Sequence, residues 1–245
     1  QLQFLKNDEV NELLTSVWGN VRETAADKAQ LIADLKTKLS SPGDADPALG
    51  RAVFAKTCQR CHVLYGVGEK VGPDLTGSNR ANLDYLLSNV VDPSAVMAKE
   101  YRQTALVTMN GRVITGIVRE EDDKSLTIQT ADGVVILPQN EIEERVASEK
   151  SMMPDDQLKQ FSEREVRSLV AYLTGKQQTP MLATKDNAAS LFNGKDLTGW
   201  HGEANLWSVE NGELVGKTNG LKKNTWLVSD LAATDFRLTV EVKLI

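Results

Sequence analysis

The chain has 245 residues, 41% of them hydrophobic and 25% charged, an ordinary soluble globular composition with room for one large or two small domains. Its net charge of -6 comes from interspersed acids and bases, so no face announces itself as a surface for nucleic acid or an anionic membrane, and nucleic acid is disfavoured as a partner. No apolar run approaches the roughly 20 residues of a membrane span, and the residues after Gln1 lack the charged-then-apolar order of a secretion signal, so a mature or trimmed product is expected.

Residues 1–43 read as a helical hairpin and linker. Phe4, Leu5, Val10, Leu13, Leu14, Val17, Trp18 and Val21 recur at helical spacing, followed by Leu31, Ile32, Leu35 and Leu39. One apolar face results, and it needs a neighbour to pack on. Ser40-Ser41-Pro42-Gly43-Asp44 then breaks the pattern.

From Asp46 a new helix carries Leu49, Gly50, Val53 and Phe54 on one face and delivers Cys58-Gln59-Arg60-Cys61-His62 at its end. Two thiols three apart, followed directly by histidine, form the attachment sequence of a c-type haem. Cys58 and Cys61 on one helical turn add to the two vinyl groups of one porphyrin, and His62 turns its imidazole to the iron. A closed zinc site takes about four ligands, whereas the chain offers two cysteines and two histidines, the second being the distant His201. A redox dithiol is the other reading, but it wants a strand before the pair and a helix after it. One covalently bound haem c is therefore the expected cofactor. In bacteria c-type attachment takes place outside the cytoplasm, so a periplasmic location is expected.

Gly72-Pro73-Asp74-Leu75 resembles the proximal loop of class I cytochromes c. The resemblance implies that the Pro73 carbonyl accepts the second ring nitrogen of His62, fixing its tautomer. Ser78 or Asn79 is placed to cap a helix through Leu83, Leu86, Leu87 and Val90, ending before Asp92-Pro93. Ser151-Met152-Met153-Pro154 resembles the distal Met-Pro loop of the same class and implies Met153 as the sixth ligand, with Met152 as its competitor; a thioether is a soft ligand suited to haem iron. Met97, Met109 and Met181 read as packing residues. A capping-box pattern at Ser162-Glu163-Arg164-Glu165 opens a last helix whose stripe Val166, Leu169, Val170, Tyr172 and Leu173 ends at Gly175. Gly50, Phe54 and Tyr172 are candidates for the point where this helix crosses the one before the haem motif.

Residues 101–147 do not belong in a minimal cytochrome. Short Val- and Ile-rich runs separated by Asn110-Gly111, Asp122-Asp123 and Asp132-Gly133 predict an inserted antiparallel meander or small barrel of four or five strands. With the haem motif, Gly72-Pro73-Asp74-Leu75-Thr76-Gly77, Asp92-Pro93-Ser94 and Ser151-Met152-Met153-Pro154, residues 45–175 resemble the haem-binding cytochrome c domain of planctomycete and verrucomicrobial multidomain proteins. The implied fold is mixed: an all-α class I cytochrome c over 44–176 with the inserted meander at 101–147, then a second domain.

After a linker at 177–189, residues 190–245 supply that second domain. Leu191-Phe192-Asn193-Gly194-Lys195-Asp196-Leu197-Thr198-Gly199-Trp200-His201 and Asn211-Gly212-Glu213-Leu214-Val215 are similar to the opening of a 3-keto-disaccharide hydrolase module, implying the start of a concanavalin-like β-sandwich. Turn residues and alternation call for β structure independently. The chain ends within an alternating run from Arg237, read as a strand of a longer protein. Trp200, Trp207 and Trp226 either fill its core or stack on sugar rings.

Three functions follow as expectations. One is one-electron transfer through a His62/Met153 haem, between a dehydrogenase donor and a cytochrome or oxidase acceptor. Another makes the chain the electron outlet of a larger carbohydrate-active enzyme, with carbohydrate bound through the C-terminal domain. The third is a gas sensor or peroxidase with an open coordination position. No catalytic residue is assigned, and catalysis by the chain itself ranks below electron transfer.

Overall fold

The computed structural model describes residues 9–10, 12–13, 20–234 and 236–244. Among them are four α-helices: α1 (Ala26–Ser40), α2 (Pro47–Thr57), α3 (Leu83–Val91) and α4 (Glu163–Thr174). The strands are β1 (Asn20–Val21), β2 (Val96–Met97), β3 (Arg102–Thr108), β4 (Val113–Glu121), β5 (Ser125–Gln129), β6 (Val134–Pro138), β7 (Ile142–Ser151), β8 (Met181–Leu182), β9 (Trp200–His201), β10 (Trp207–Glu210), β11 (Glu213–Gly216), β12 (Val228–Ser229) and β13 (Leu231–Ala232). None of the described helices is long and apolar enough to cross a membrane. Most of the first helix expected at the N-terminus, with Phe4, Leu5, Leu14, Val17 and Trp18, lies outside the described residues.

The chain divides into two compact units, one of residues 1–43 and 58–163, the other of 44–57 and 164–245. The first is dominated by a five-stranded antiparallel sheet in the order β6-β5-β4-β3-β7. Leu106, Ile114, Leu126, Ile128 and Leu137 form its buried core, and in β3 and β5 every second side chain is buried, as the pleat requires. Chemistry at the turns sets the register. Gly111 sits at φ +78° in the β3–β4 turn, where Thr108 Oγ1 meets Asn110 Oδ1 at 2.6 Å. The Asp122 carboxylate accepts the amides of Lys124 and Ser125 at 2.8 and 2.7 Å between β4 and β5. Gly116 is required for a different reason: a Cβ there would lie 2.3 Å from the Gln129 carbonyl oxygen across the β4–β5 ladder.

Helix α3 is capped by Asn82, whose side chain accepts the Tyr85 amide at 3.1 Å, and not by Ser78 or Asn79. The Ser78 hydroxyl donates instead to the Leu75 carbonyl at 2.9 Å, and a turn closed by Asn82 N to Asn79 O separates it from the helix. Leu86, Leu87 and Val91 bury the inner face of α3.

In the second unit α2 crosses α4 at Gly50. A Cβ at that position would lie 1.9 Å from the Ser168 carbonyl oxygen, and the Phe54 and Tyr172 rings meet beside it with centroids 5.6 Å apart. The Asp46 amide donates to Ser168 Oγ at 3.0 Å, tying the start of α2 to the middle of α4. Beyond α4 the β structure consists of two-stranded pairs: β8 with β13 in parallel, and β9 with β12 and β10 with β11 antiparallel. The strand expected from Arg237 onward does not form in the described residues: Leu238, Val240, Val242 and Leu244 are all exposed and no ladder pairs them.

The expectation of an all-α class I cytochrome c is overturned. Thirteen strands stand against four helices among the described residues. The β-branched alternation of residues 102–151 dominates the first unit, while α2 and α4, the helices expected to frame a cytochrome, belong to the other unit.

Candidate cofactor-attachment site

Helix α2 runs out at Thr57, and the next turn is closed by two bonds to one acceptor: the amides of Cys61 and His62 both donate to the Cys58 carbonyl, at 3.0 and 2.9 Å. This single turn places both cysteines and His62 on one short arc. No disulfide joins the two sulfurs. Burial pushes the Cys58 thiol up to about 12 and also raises that of Cys61, against the pull of the nearby Arg60 charge. Neither is an activated thiolate of the kind that redox dithiols employ.

The loop after the turn folds back on His62. The Gly72 amide donates to the Cys61 carbonyl at 2.6 Å and the Leu75 amide to the Val63 carbonyl at 2.8 Å. His62 Nδ1 lies 2.9 Å from the Pro73 carbonyl oxygen. A carbonyl only accepts, so Nδ1 carries the proton and Nε2 keeps its lone pair. Burial lowers the His62 pKa, with the Pro73 bond opposing, which keeps the ring neutral and able to bind a metal. Gly72 makes room for the ring: a Cβ there would lie 2.6 Å from Cε1. Gly68, at φ +122°, leaves no space for a Cβ beside the His62 carbonyl, 2.1 Å away.

Two arginines hold this loop from outside. Arg80 is buried, donates from Nε to the Leu75 carbonyl at 3.0 Å and lies 4.9 Å from the centre of the Tyr65 ring. Arg119 of β4 donates to the carbonyls of Lys70 and Val71, the two residues before Gly72. The sheet therefore buttresses the segment that contacts the imidazole.

Cys58, Cys61, His62 and Pro73 are thus brought together as one hydrogen-bonded group. Met153 belongs to a separate bend after β7, half-buried like Met152, with its amide donating to Ser151 Oγ at 3.1 Å. Among the described residues no group of three or more His, Cys, Asp or Glu side chains converges as a metal cage. The donor set is instead one neutral imidazole beside two thiols, with a glycine against the ring. That set fits a covalently held haem. Gly72 stands in the loop motif read from the sequence, but Arg119 and Gly68 carry no pattern that marks them there; the Arg119 contact joins positions 49 apart.

His201 is elsewhere and already engaged, its Nε2 lying 2.9 Å from Asp230 Oδ1, with Arg51 gripping the same carboxylate at 3.3 Å. Trp200 donates from Nε1 to the Leu191 carbonyl at 2.7 Å, and the Trp207 ring packs on Gly202 and Gly216. Trp226 is 73% exposed.

No curated protein matches the chain. No cytochrome c family matches it either, so the labels cytochrome c, haem and metal-binding are corrected as a classification: neither a family match nor a protein-built metal cluster carries them, and the described structure is mostly β. What the comparison with known families does establish is that residues 187–245 match a 3-keto-alpha-glucoside-1,2-lyase-like domain.

Proposed function

We propose that the chain carries one haem, covalently attached through Cys58 and Cys61 and ligated by His62, and passes single electrons between partner proteins. The observation that supports this best is the His62 Nδ1 bond to the Pro73 carbonyl, one turn from two thiols, with Gly72 against the ring. Metal-ligating histidines characteristically donate their other N–H to a carbonyl, which fixes the tautomer and makes the free nitrogen more basic. When bound, the haem supplies an iron that gains and loses one electron. The protein's tasks are to hold both thiols on one turn, to keep the proton on Nδ1, and to keep the loop rigid through Arg80 and Arg119.

Met153 would supply the thioether that joins His62 in holding the iron, with Met152 the alternative one residue away. A thioether ligand would favour the ferrous state and a positive potential. The site of action is outside the cytoplasm, where c-type attachment occurs, with a dehydrogenase as donor and a cytochrome or oxidase as acceptor. The test is production of the full chain in a host with c-type haem maturation, followed by mass analysis of the peptide holding Cys58 and Cys61. An added haem mass is expected, and an unmodified peptide refutes the reading.

A second role is favoured by the exposed indole of Trp226 within the lyase-like segment. Its flat apolar face suits stacking on a sugar ring. The chain then serves as the electron-carrying part of a larger carbohydrate-active protein.

A further inference from the structure

The bend that carries Met152 and Met153 is tied at both ends to one short turn, Asp92-Pro93-Ser94, at the C-terminal end of α3. On the near side, the Ser151 amide donates to the buried Ser94 hydroxyl at 3.0 Å, and Ser151 Oγ in turn accepts the Met153 amide at 3.1 Å. On the far side, Lys28 of α1 spans two carboxylates, with Nζ 2.9 Å from Asp92 Oδ1 and 2.9 Å from Asp155 Oδ1. The Asp92 side chain is fully buried and is also held by Arg22, at 2.7 Å to Oδ1 and 3.1 Å to Oδ2. Two cations and two carboxylates therefore balance, and Lys28 is the shared member.

We propose that Lys28 and the Asp92-Pro93-Ser94 turn form a two-point clamp that positions the methionine bend for ligation, so that Lys28, Ser94 and Asp155 are positioning residues for the axial thioether. This rests on the haem reading above. Residues 151 and 155 are the fixed ends, and only three residues lie between them. So short a span leaves the two candidate thioethers little freedom, whereas a bend tethered at one end can swing either methionine, or neither, toward the iron. An exposed ion pair contributes little to stability by itself. The clamp differs because its anchor, Asp92, is desolvated and cannot exchange Lys28 for water without cost.

The test uses the full chain loaded with haem and two readouts: the far-red absorption of a thioether bound to ferric haem, and hydrogen–deuterium exchange of the peptide covering 151–156. In Lys28→Met the far-red band is expected to be lost or weakened while the haem remains covalently attached, and exchange in the peptide to rise about threefold to tenfold, as local opening becomes easier. Lys28→Arg restores both. Ser94→Ala and Asp155→Asn, which leave the Arg22–Asp92 pair in place, are expected to shift both readouts in the same direction and to decide the matter where Lys28→Met does not fold. Wild-type band and wild-type exchange in these variants overturn the clamp. If the wild type carries no haem, the haem reading fails by itself, and unchanged exchange in the variants then overturns the clamp separately.

Discussion

Gly72 and Cys58 show how much of the site rests on single atoms. A methyl group at position 72 would have to share space with the His62 ring at 2.6 Å, and the ring cannot retreat without stretching its bond to Pro73. Gly72→Ala is expected to break that bond and to lower stability by about 1–3 kcal/mol, with a shift of the His62 Nδ1 resonance in the nitrogen-edited NMR spectrum of the haem-free chain. The thiols give a second prediction at this scale. With the Cys58 thiol pushed up to about 12 by burial, the folded haem-free chain holds about one thiolate in ten thousand there at pH 8. Cys61, raised less and further from full burial, reacts first. Alkylation followed by mass mapping should label Cys61 well before Cys58, and equal rates would refute the burial argument. The same shift has a sign. Between pH 9 and about 12 the unfolded chain releases this proton and the folded chain keeps it, so stability is lost as pH rises through that window and is unaffected below it.

Among the elements, the α2–α4 crossing and the end of α3 carry the sharpest consequences. A glycine in a helix is ordinarily improved by alanine, but at position 50 the added Cβ would lie 1.9 Å from a backbone carbonyl oxygen. Gly50→Ala is expected to reverse the usual sign and destabilise by about 2–4 kcal/mol in denaturant titrations. Asp92 governs acid sensitivity. Burial would raise its pKa, but the hydrogen bonds from Lys28 and Arg22 outweigh this and hold it below the usual 3.8. Its contribution to stability is therefore present above 3.8 and is lost as pH falls through the lower folded value. Asp92→Asn should flatten the acid limb of the stability curve in that window while lowering stability at pH 7. Much at this scale was legible beforehand: the turn glycines 111 and 133 stand at positive φ between strands, and the stripe from Val166 to Leu173 is a buried helix face. The α3 cap was misjudged by three or four positions, because a hydroxyl at Ser78 looks the same whether it caps a helix or closes the preceding turn. The fold class differs from the expectation because a five-residue motif says nothing about which elements surround it. The Lys28–Asp92–Asp155 bridge was illegible, joining positions 64 residues apart and beyond.

For the molecule as a whole, the question is whether the turn proposed to carry haem and the segment matching the lyase-like domain work independently. Three of the four tryptophans lie in or beside β9–β12, so intrinsic fluorescence reports mainly on residues 200–226. Trp200 and Trp207 are held by a hydrogen bond and by glycine contacts, respectively, and a ligand that reaches the surface would perturb them little. Trp226 is the indole open to solvent, so a sugar stacking on it should change its emission directly. On the stacking role proposed above, titrating the full chain with a methyl pyranoside should give a saturable fluorescence change that Trp226→Ala abolishes. Because that side chain buries little surface, the variant's unfolding free energy should stay within about 0.5 kcal/mol of wild type. Cys58→Ser/Cys61→Ser should do the reverse, abolishing the haem attachment proposed above and the voltammetric wave expected from it while leaving the sugar response at its wild-type midpoint. A sugar response that persists in Trp226→Ala would refute the stacking role. A midpoint that moves in the cysteine variant would show instead that the two activities are thermodynamically linked, since binding that depends on the state of a second site must shift when that site is removed.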